Sequence, residues 1–163
     1  ATINDAKSVL ENTKNIREET DFLLSYPDEI NFSVEEEEEL LEDKENSPCE
    51  IQICALVDDR IVGLAGISAV GSKDKVKHRA EFGISIEKAY YGKGIGTALT
   101  KACIECAKTA GYRQLELEVV AENKNAIALY KKFGFKEIGR NPREFCSRYT
   151  GWQELIFMVL VLD

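Results

Sequence analysis

Between Tyr90 and Leu99 the chain reads Tyr-Tyr-Gly-Lys-Gly-Ile-Gly-Thr-Ala-Leu, with glycines at positions 92, 94 and 96. An apolar extended run, Phe82 to Ile86, precedes this stretch, and an amphipathic one, Ile95 to Ala110, follows it. The layout is that of a strand, a tight loop and a helix start, which points to a fold of mixed α and β structure. Glycine lets the backbone turn without a Cβ clash and lets a ligand approach the main chain. The first N–H groups of the following helix lack partners within it, and the helix dipole makes that end attractive to anions. A phosphate or diphosphate is its natural guest, the alternative being a turn that only connects two elements.

The spacing excludes two common phosphate loops. A P-loop places its lysine after the last glycine, whereas Lys93 lies between Gly92 and Gly94. A dinucleotide fingerprint reads G-x-G-x-x-G, and this loop reads G-x-G-x-G.

Around the loop the pattern predicts a helix pair, Asp5 to Thr13 and Ile16 to Ser25, broken at Pro27-Asp28. An acidic helix, Ser33 to Asp43, is capped by Ser33 with Glu36 three residues on. Glu50 to Val57 and Arg60 to Val70 form a hairpin about Asp58-Asp59, and His78 to Ile86 a third strand. Gly111 ends the helix that begins at Ile95. Arg113 to Val120 alternates, with Leu115, Leu117 and Val119 on one face and Glu116 and Glu118 on the other. Asn123 caps a helix that runs to Gly134, before a short strand at Phe135–Gly139. Trp152 to Leu162 is apolar on both faces, as a central strand is. Antiparallel strands followed by strand–helix–strand units predict one domain over residues 1–163, a mixed and strongly twisted sheet with helices on both sides.

A formal net charge of −8 argues against a nucleic-acid partner and favours cationic ones. The run Glu35 to Glu39 is either a solvated helix face or a rim that draws in a positively charged substrate. No apolar run approaches the ~18 residues of a membrane span, so no membrane partner is expected. Five cysteines, an odd count without a secretory signal, suggest a reducing cytoplasm. Cys103 and Cys106 form a C-x-x-C pair, yet both fall at helical spacing with Ile95 and Leu99 and read as core thiols; no metal is expected.

Two motifs together make a resemblance specific. Tyr91-x-x-Gly94-x-Gly96, with Val119-x-x-x-Asn123-x-x-Ala126-Ile127-x-Leu129-Tyr130-x-x-x-Gly134-Phe135, is similar to the Gcn5-related N-acetyltransferase (GNAT) superfamily in order and separation. The resemblance is tightest between Ala80 and Gly139 and extends loosely from Ala1 to Asp163. It implies a mostly antiparallel sheet in which two strands splay apart and admit acetyl-CoA. Ile84, Ser85 and Ile86 would offer backbone groups to the pantetheine arm. Gly92, Lys93, Gly94, Ile95, Gly96 and Thr97 would surround the pyrophosphate. Asn123 would hydrogen-bond the pantetheine region, and Tyr130 would lie near the thioester sulfur. Two departures stand out. Tyr91 replaces the Gln or Arg that usually opens the family's loop, and the family's first strand is expected to be missing, with the cofactor site untouched.

The reaction so implied transfers an acetyl group directly from a thioester to a primary amine. It needs a base for the ammonium proton, donors for the developing oxyanion near Ile86, and a proton for the leaving thiolate. Tyr130 fits the last role, its alternative being a packing residue of the helix that carries Ile127 and Phe133. Glu81 lies where several family members carry a catalytic glutamate; Glu118 and Glu116 are further candidates, and His78 sits at the hairpin end. The acceptor is expected to be a small-molecule amine, a cationic one being favoured by the acidic chain, with a protein N-terminus or lysine as the rival within the class. A non-catalytic acyl-CoA-binding module is the rival outside it. Asn15 to Leu41 and Arg140 to Trp152 would set the choice of acceptor, the latter as a mobile lid. The chain is also compatible with a homodimer.

Overall fold

The computed structural model describes Ala1–Asp163. Two helices, α1 (Ala6–Glu19) and α2 (Val34–Asn46), precede the first strand. Then follow β1 (Ile51–Val57), β2 (Arg60–Ala69), β3 (Arg79–Ile86), α3 (Ile95–Thr109), β4 (Gln114–Val120), α4 (Lys124–Lys132), β5 (Lys136–Ser147) and β6 (Gly151–Val161). The six strands form one sheet in the order β1-β2-β3-β4-β6-β5. Every pairing is antiparallel except that of β3 with β4.

Local chemistry explains most boundaries. Asp58 and Asp59 both adopt positive φ, at 50° and 60°, as a two-residue hairpin turn between right-twisted strands requires. Ser33 Oγ accepts from the Glu36 N–H, and the Glu36 carboxylate accepts from the Ser33 N–H, closing the expected capping box on α2. Glu37 turns inward from the acidic run, and burial raises its carboxyl above the ordinary value.

The sheet separates two cores. On one face α3 and α4 bring Leu99, Cys103, Ile127 and Tyr130 against Ile67, Phe82, Leu117 and Met158. On the other, Ala6 and Val9 of α1 and Leu41 of α2 cover Ile61 and Leu64. The alternation along β2, Leu64 one way and Ala65 and Ile67 the other, places a helical layer on each side. Cys103 belongs to the first core, where burial pushes its thiol up to about 12.

Three expectations need correction. The first two helices are one up to Glu19: α1 runs unbroken through Thr13 and Ile16, because Ala6, Val9, Asn12 and Ile16 form a single buried stripe. The segment after Thr20 is not helical apart from one 3₁₀ turn at Pro27–Glu29. Finally, Arg140 to Trp152 is no lid. β5 continues through it to Ser147, with irregularities at Glu137/Gly139 and Asn141/Phe145. The second of these absorbs Pro142 on an edge strand, where the missing N–H costs no ladder bond.

Candidate active site

The parallel pair β3–β4 holds for only three partners, Arg79↔Gln114, Ala80↔Leu115 and Glu81↔Glu116. Beyond Glu81, β3 keeps β2 as its neighbour through Ile86↔Gly63, while Leu117 to Val120 pair only with β6. The two strands therefore part, and each leaves one backbone edge without a ladder partner. Such an edge is a template for an extended ligand that carries amide groups. A cavity of about 420 Å³ opens at the split and is lined by Ile84, Ser85 and Ile86 from β3.

The glycine loop forms one end of this cavity. Gly92 and Gly94 take φ of 71° and 83°, in the left-handed region, and Gly94 caps α3. The first intrahelical bond of α3 runs from Ala98 N–H to Gly94 O, which leaves the N–H groups of Ile95, Gly96 and Thr97 for a ligand. Gly96 is needed for packing as well: a Cβ there would meet Leu129 Cδ2 at 3.2 Å and Ile86 Cδ1 at 3.3 Å. Gly92, Gly94, Ile95, Gly96 and Thr97 all line the cavity. Lys93 is the exception; its ammonium lies over the Tyr90 ring, 5.0 Å from the centroid.

Asn123 and Tyr130 reach the same cavity from α4. Asn123 Oδ1 accepts from the Ala126 N–H and caps the helix, so its amide nitrogen is the end left for a ligand. Tyr130 packs edge-on to Phe82, with ring centroids 6.1 Å apart, and beside Phe135. Burial holds its phenol well above the ordinary value, so the hydroxyl keeps its proton throughout the neutral range.

Glu81, Glu116 and Glu118 line a second cavity of about 280 Å³ with Ile138, Phe157 and Val159. They differ in state. Glu116 is bound by both Arg79 and Gln114, and the Arg79 guanidinium lowers its carboxyl. Glu118 has no such partner; burial raises its carboxyl, with Glu144 and Glu81 as like charges nearby. Glu81 is exposed at the point of parting. His78 lines neither cavity and lies exposed before the paired stretch.

Residues not singled out from the sequence complete the first cavity. Ile16 of α1, with Thr20, Phe22 and Leu23 beyond it, forms part of the wall, as does Tyr90, beside the Tyr91 of the loop motif. The sequence pattern extends a helix through Thr20 to Leu23, whereas the segment has no regular structure and is placed by contacts distant in sequence.

A family model for the acetyltransferase (GNAT) family matches residues 14–135. The chain belongs to the GNAT family. Over 111 residues it is 31% identical to the L-amino acid N-acetyltransferase AaaT of Escherichia coli, an alignment covering 68% of this chain and 67% of that one. It is 33% identical over 85 residues to the N-alpha-acetyltransferase RimI of Mycobacterium tuberculosis, covering 52% and 51%. Across the first four curated relatives the alignments span from 23% to 67% of the relative's length. An acetyltransferase of the GNAT family from Streptococcus pneumoniae superposes with a TM-score of 0.95 at 29% identity, covering 99% of this chain and 96% of that one. The mixed, mostly antiparallel GNAT sheet with helices on both faces is thus the fold of this chain.

Proposed function

We propose that this GNAT protein is an acetyl-CoA-dependent N-acetyltransferase that moves the acetyl group directly to a primary amine of a small, cationic molecule. The observation that carries the reading is the parting of β3 and β4 beyond Glu81 and Glu116, with the free α3 N–H groups lining the cavity at the split. The free edge of Ile84–Ile86 suits the amides of a pantetheine arm, and Asn123 adds a side-chain donor. The glycines let the diphosphate meet main-chain N–H groups at the positive end of α3. This is why Tyr91, in the place of the usual Gln or Arg, does not abolish the fit.

For the chemistry, a carboxylate takes a proton from the acceptor's ammonium group. Glu116 is occupied by Arg79, so Glu81 and Glu118 are the carboxylates free for that task. The amine nitrogen then bonds to the carbonyl carbon and the carbon–sulfur bond breaks. Tyr130 supplies a hydroxyl proton to the departing sulfur, and the second proton lost by the attacking nitrogen as the neutral amide forms restores the phenol. Its raised pKa suits a donor that must stay protonated until the thiolate forms. The carboxylates of the second cavity support a cationic acceptor: Glu116 is already held by Arg79, and Glu81 and Glu118 remain. AaaT and RimI carry names for amino-acid and N-terminal acetylation, so those acceptors are the rivals.

The test is acetyl-CoA-dependent thiol release against polyamines, amino acids, aminoglycosides and short peptides with varied N-termini, each beside a blank without acceptor. Turnover with cationic small amines is expected. A response confined to amino acids or peptides overturns the acceptor class. Silence from protein that binds acetyl-CoA favours a non-catalytic binding module.

A further inference from the structure

Part of the first cavity's wall comes from a stretch with no helix or strand. Thr20, Phe22 and Leu23 share that cavity with Ile84 and Tyr130. An irregular segment loses much backbone freedom on ordering, so something outside it must hold it in place. Two sets of contacts join it to the tip of the β5–β6 hairpin, one at Asp21 and one at Tyr26, Asp28 and Glu29, and they differ in kind.

The first tie is Asp21. Its Oδ2 accepts from Ser147 Oγ at 2.5 Å. Gln153 Nε2 donates to the Asp21 main-chain oxygen at 3.0 Å and to Oδ2 at 3.3 Å. Ser147 Oγ also accepts the N–H groups of Tyr149 and Thr150, so one hydroxyl closes the hairpin tip and gives its own proton to Asp21. Ser147 and Gln153 are both buried, at 7% and 6% exposure. The second lies on the surface: Arg148 donates to both Asp28 oxygens at 2.8 and 2.9 Å, its main-chain N–H donates to the Tyr26 hydroxyl at 2.8 Å, and the Tyr26 and Tyr149 rings meet edge-on. Hydrogen bonds to a shielded carboxylate are strong, whereas exposed ion pairs contribute little.

We infer that Asp21 is a positioning residue: its carboxylate, held by Ser147 and Gln153, sets the Phe22–Leu23 wall against which acetyl-CoA binds. The inference rests on the reading of this cavity as the acetyl-CoA site. Asp21 itself faces the hairpin and touches no reacting atom. Without its carboxylate the wall must be ordered by the ligand, so the loss falls on acetyl-CoA affinity and KM, and kcat at saturation stays close to wild type.

The experiment measures acetyl-CoA Kd by calorimetry, with KM and kcat for the best amine of the panel. It uses the full chain and its Asp21→Ala, Ser147→Ala, doubly substituted and Asp28→Ala variants. Asp21→Ala and Ser147→Ala are each expected to raise Kd by about five- to tenfold, and the double variant no more than the larger single one. Asp28→Ala is expected to leave Kd unchanged. Wild-type affinity in Asp21→Ala, fully additive losses in the double variant, or an equal effect of Asp28→Ala overturns the inference. Should Asp21→Ala not fold, Asp21→Asn, which keeps one acceptor oxygen, carries the same measurements. A wild-type chain that does not bind acetyl-CoA overturns the cavity assignment and Asp21's role together; parity of the variants with a wild type that binds overturns the role alone.

Discussion

Glu81 on β3 and Glu116 on β4 are the last Cα partners in the parallel pair of the sheet. Immediately past them Phe82 turns its ring into the core against Tyr130, and the strands separate. The two carboxylates stand side by side in the sheet but not in chemistry. Glu116 is held by Arg79, and Glu81 is left exposed to the second cavity.

The Tyr130 phenol gives the most direct test of the proposed acid. Tyr130→Phe keeps the ring that packs on Phe82 and Phe135. Thermal stability is therefore expected to stay near wild type, while kcat falls by about 10²-fold, the usual contribution of a general acid. Calorimetry and steady-state kinetics on the same preparation separate the two. Unchanged kcat would remove Tyr130 from the chemistry.

The two free carboxylates are distinguished by pH. Burial raises the Glu118 carboxyl, and the nearby charges of Glu144 and Glu81 add to the shift. If Glu118 is the base, kcat/KM falls on acidification at a pH above the ~4.3 of an ordinary glutamate, because the protonated form cannot accept a proton. Glu144→Gln removes one like charge and should move that fall to lower pH. Glu118→Gln should abolish it, whereas a fall that vanishes in Glu81→Gln alone assigns the base to Glu81.

Gly94→Asp strikes the other end of the cavity. The residue would have to hold φ near +83°, which costs a side chain about 1–2 kcal/mol, and it would bring a negative charge to the free N–H groups of α3. Acetyl-CoA affinity is expected to drop by at least about tenfold, equivalent to ~1.4 kcal/mol. Retained affinity would separate the glycine loop from diphosphate binding.

The Arg79–Glu116 pair sets part of the acid stability. Arg79 holds the Glu116 carboxyl below its ordinary value in the folded chain. A depressed folded pKa contributes stability that is present above the unfolded value, ~4.3, and is lost as pH falls through the lower folded value. Arg79→Met should therefore melt at lower temperature than wild type near about pH 7, and the difference should shrink towards about pH 3. Melting curves across that range would show it; a difference independent of pH would mean that the pair contributes only through packing.

Much of the site was legible in the linear chain. The glycine positions marked the left-handed turns and the start of α3, because few other residues adopt those φ values without cost. Asn123 and the apolar spacing behind it marked α4 and carried Tyr130 to the cavity. The alternation of Arg113 to Val120 placed Leu115, Leu117 and Val119 in the core and turned Glu116 and Glu118 the other way. The division of α1 into two helices, its extension to Ser25 and the lid at Arg140–Trp152 are not what the chain forms, since tertiary packing and sheet pairing outweigh local pattern there.

The sequence by itself determined the order of elements from α2 to α4, the glycine-lined end of α3 and the family, all of which depend on residues close together in the chain. Only the tertiary structure decided that β3 and β4 separate after Glu81 and Glu116, which carboxylate Arg79 occupies, and that Asp21 meets Ser147 across 126 residues. Backbone conformation is a local property and leaves a local pattern. Hydrogen bonds and ion pairs between distant side chains leave none, because any of several carboxylates in this acidic chain satisfies the same local chemistry until folding brings one of them within reach.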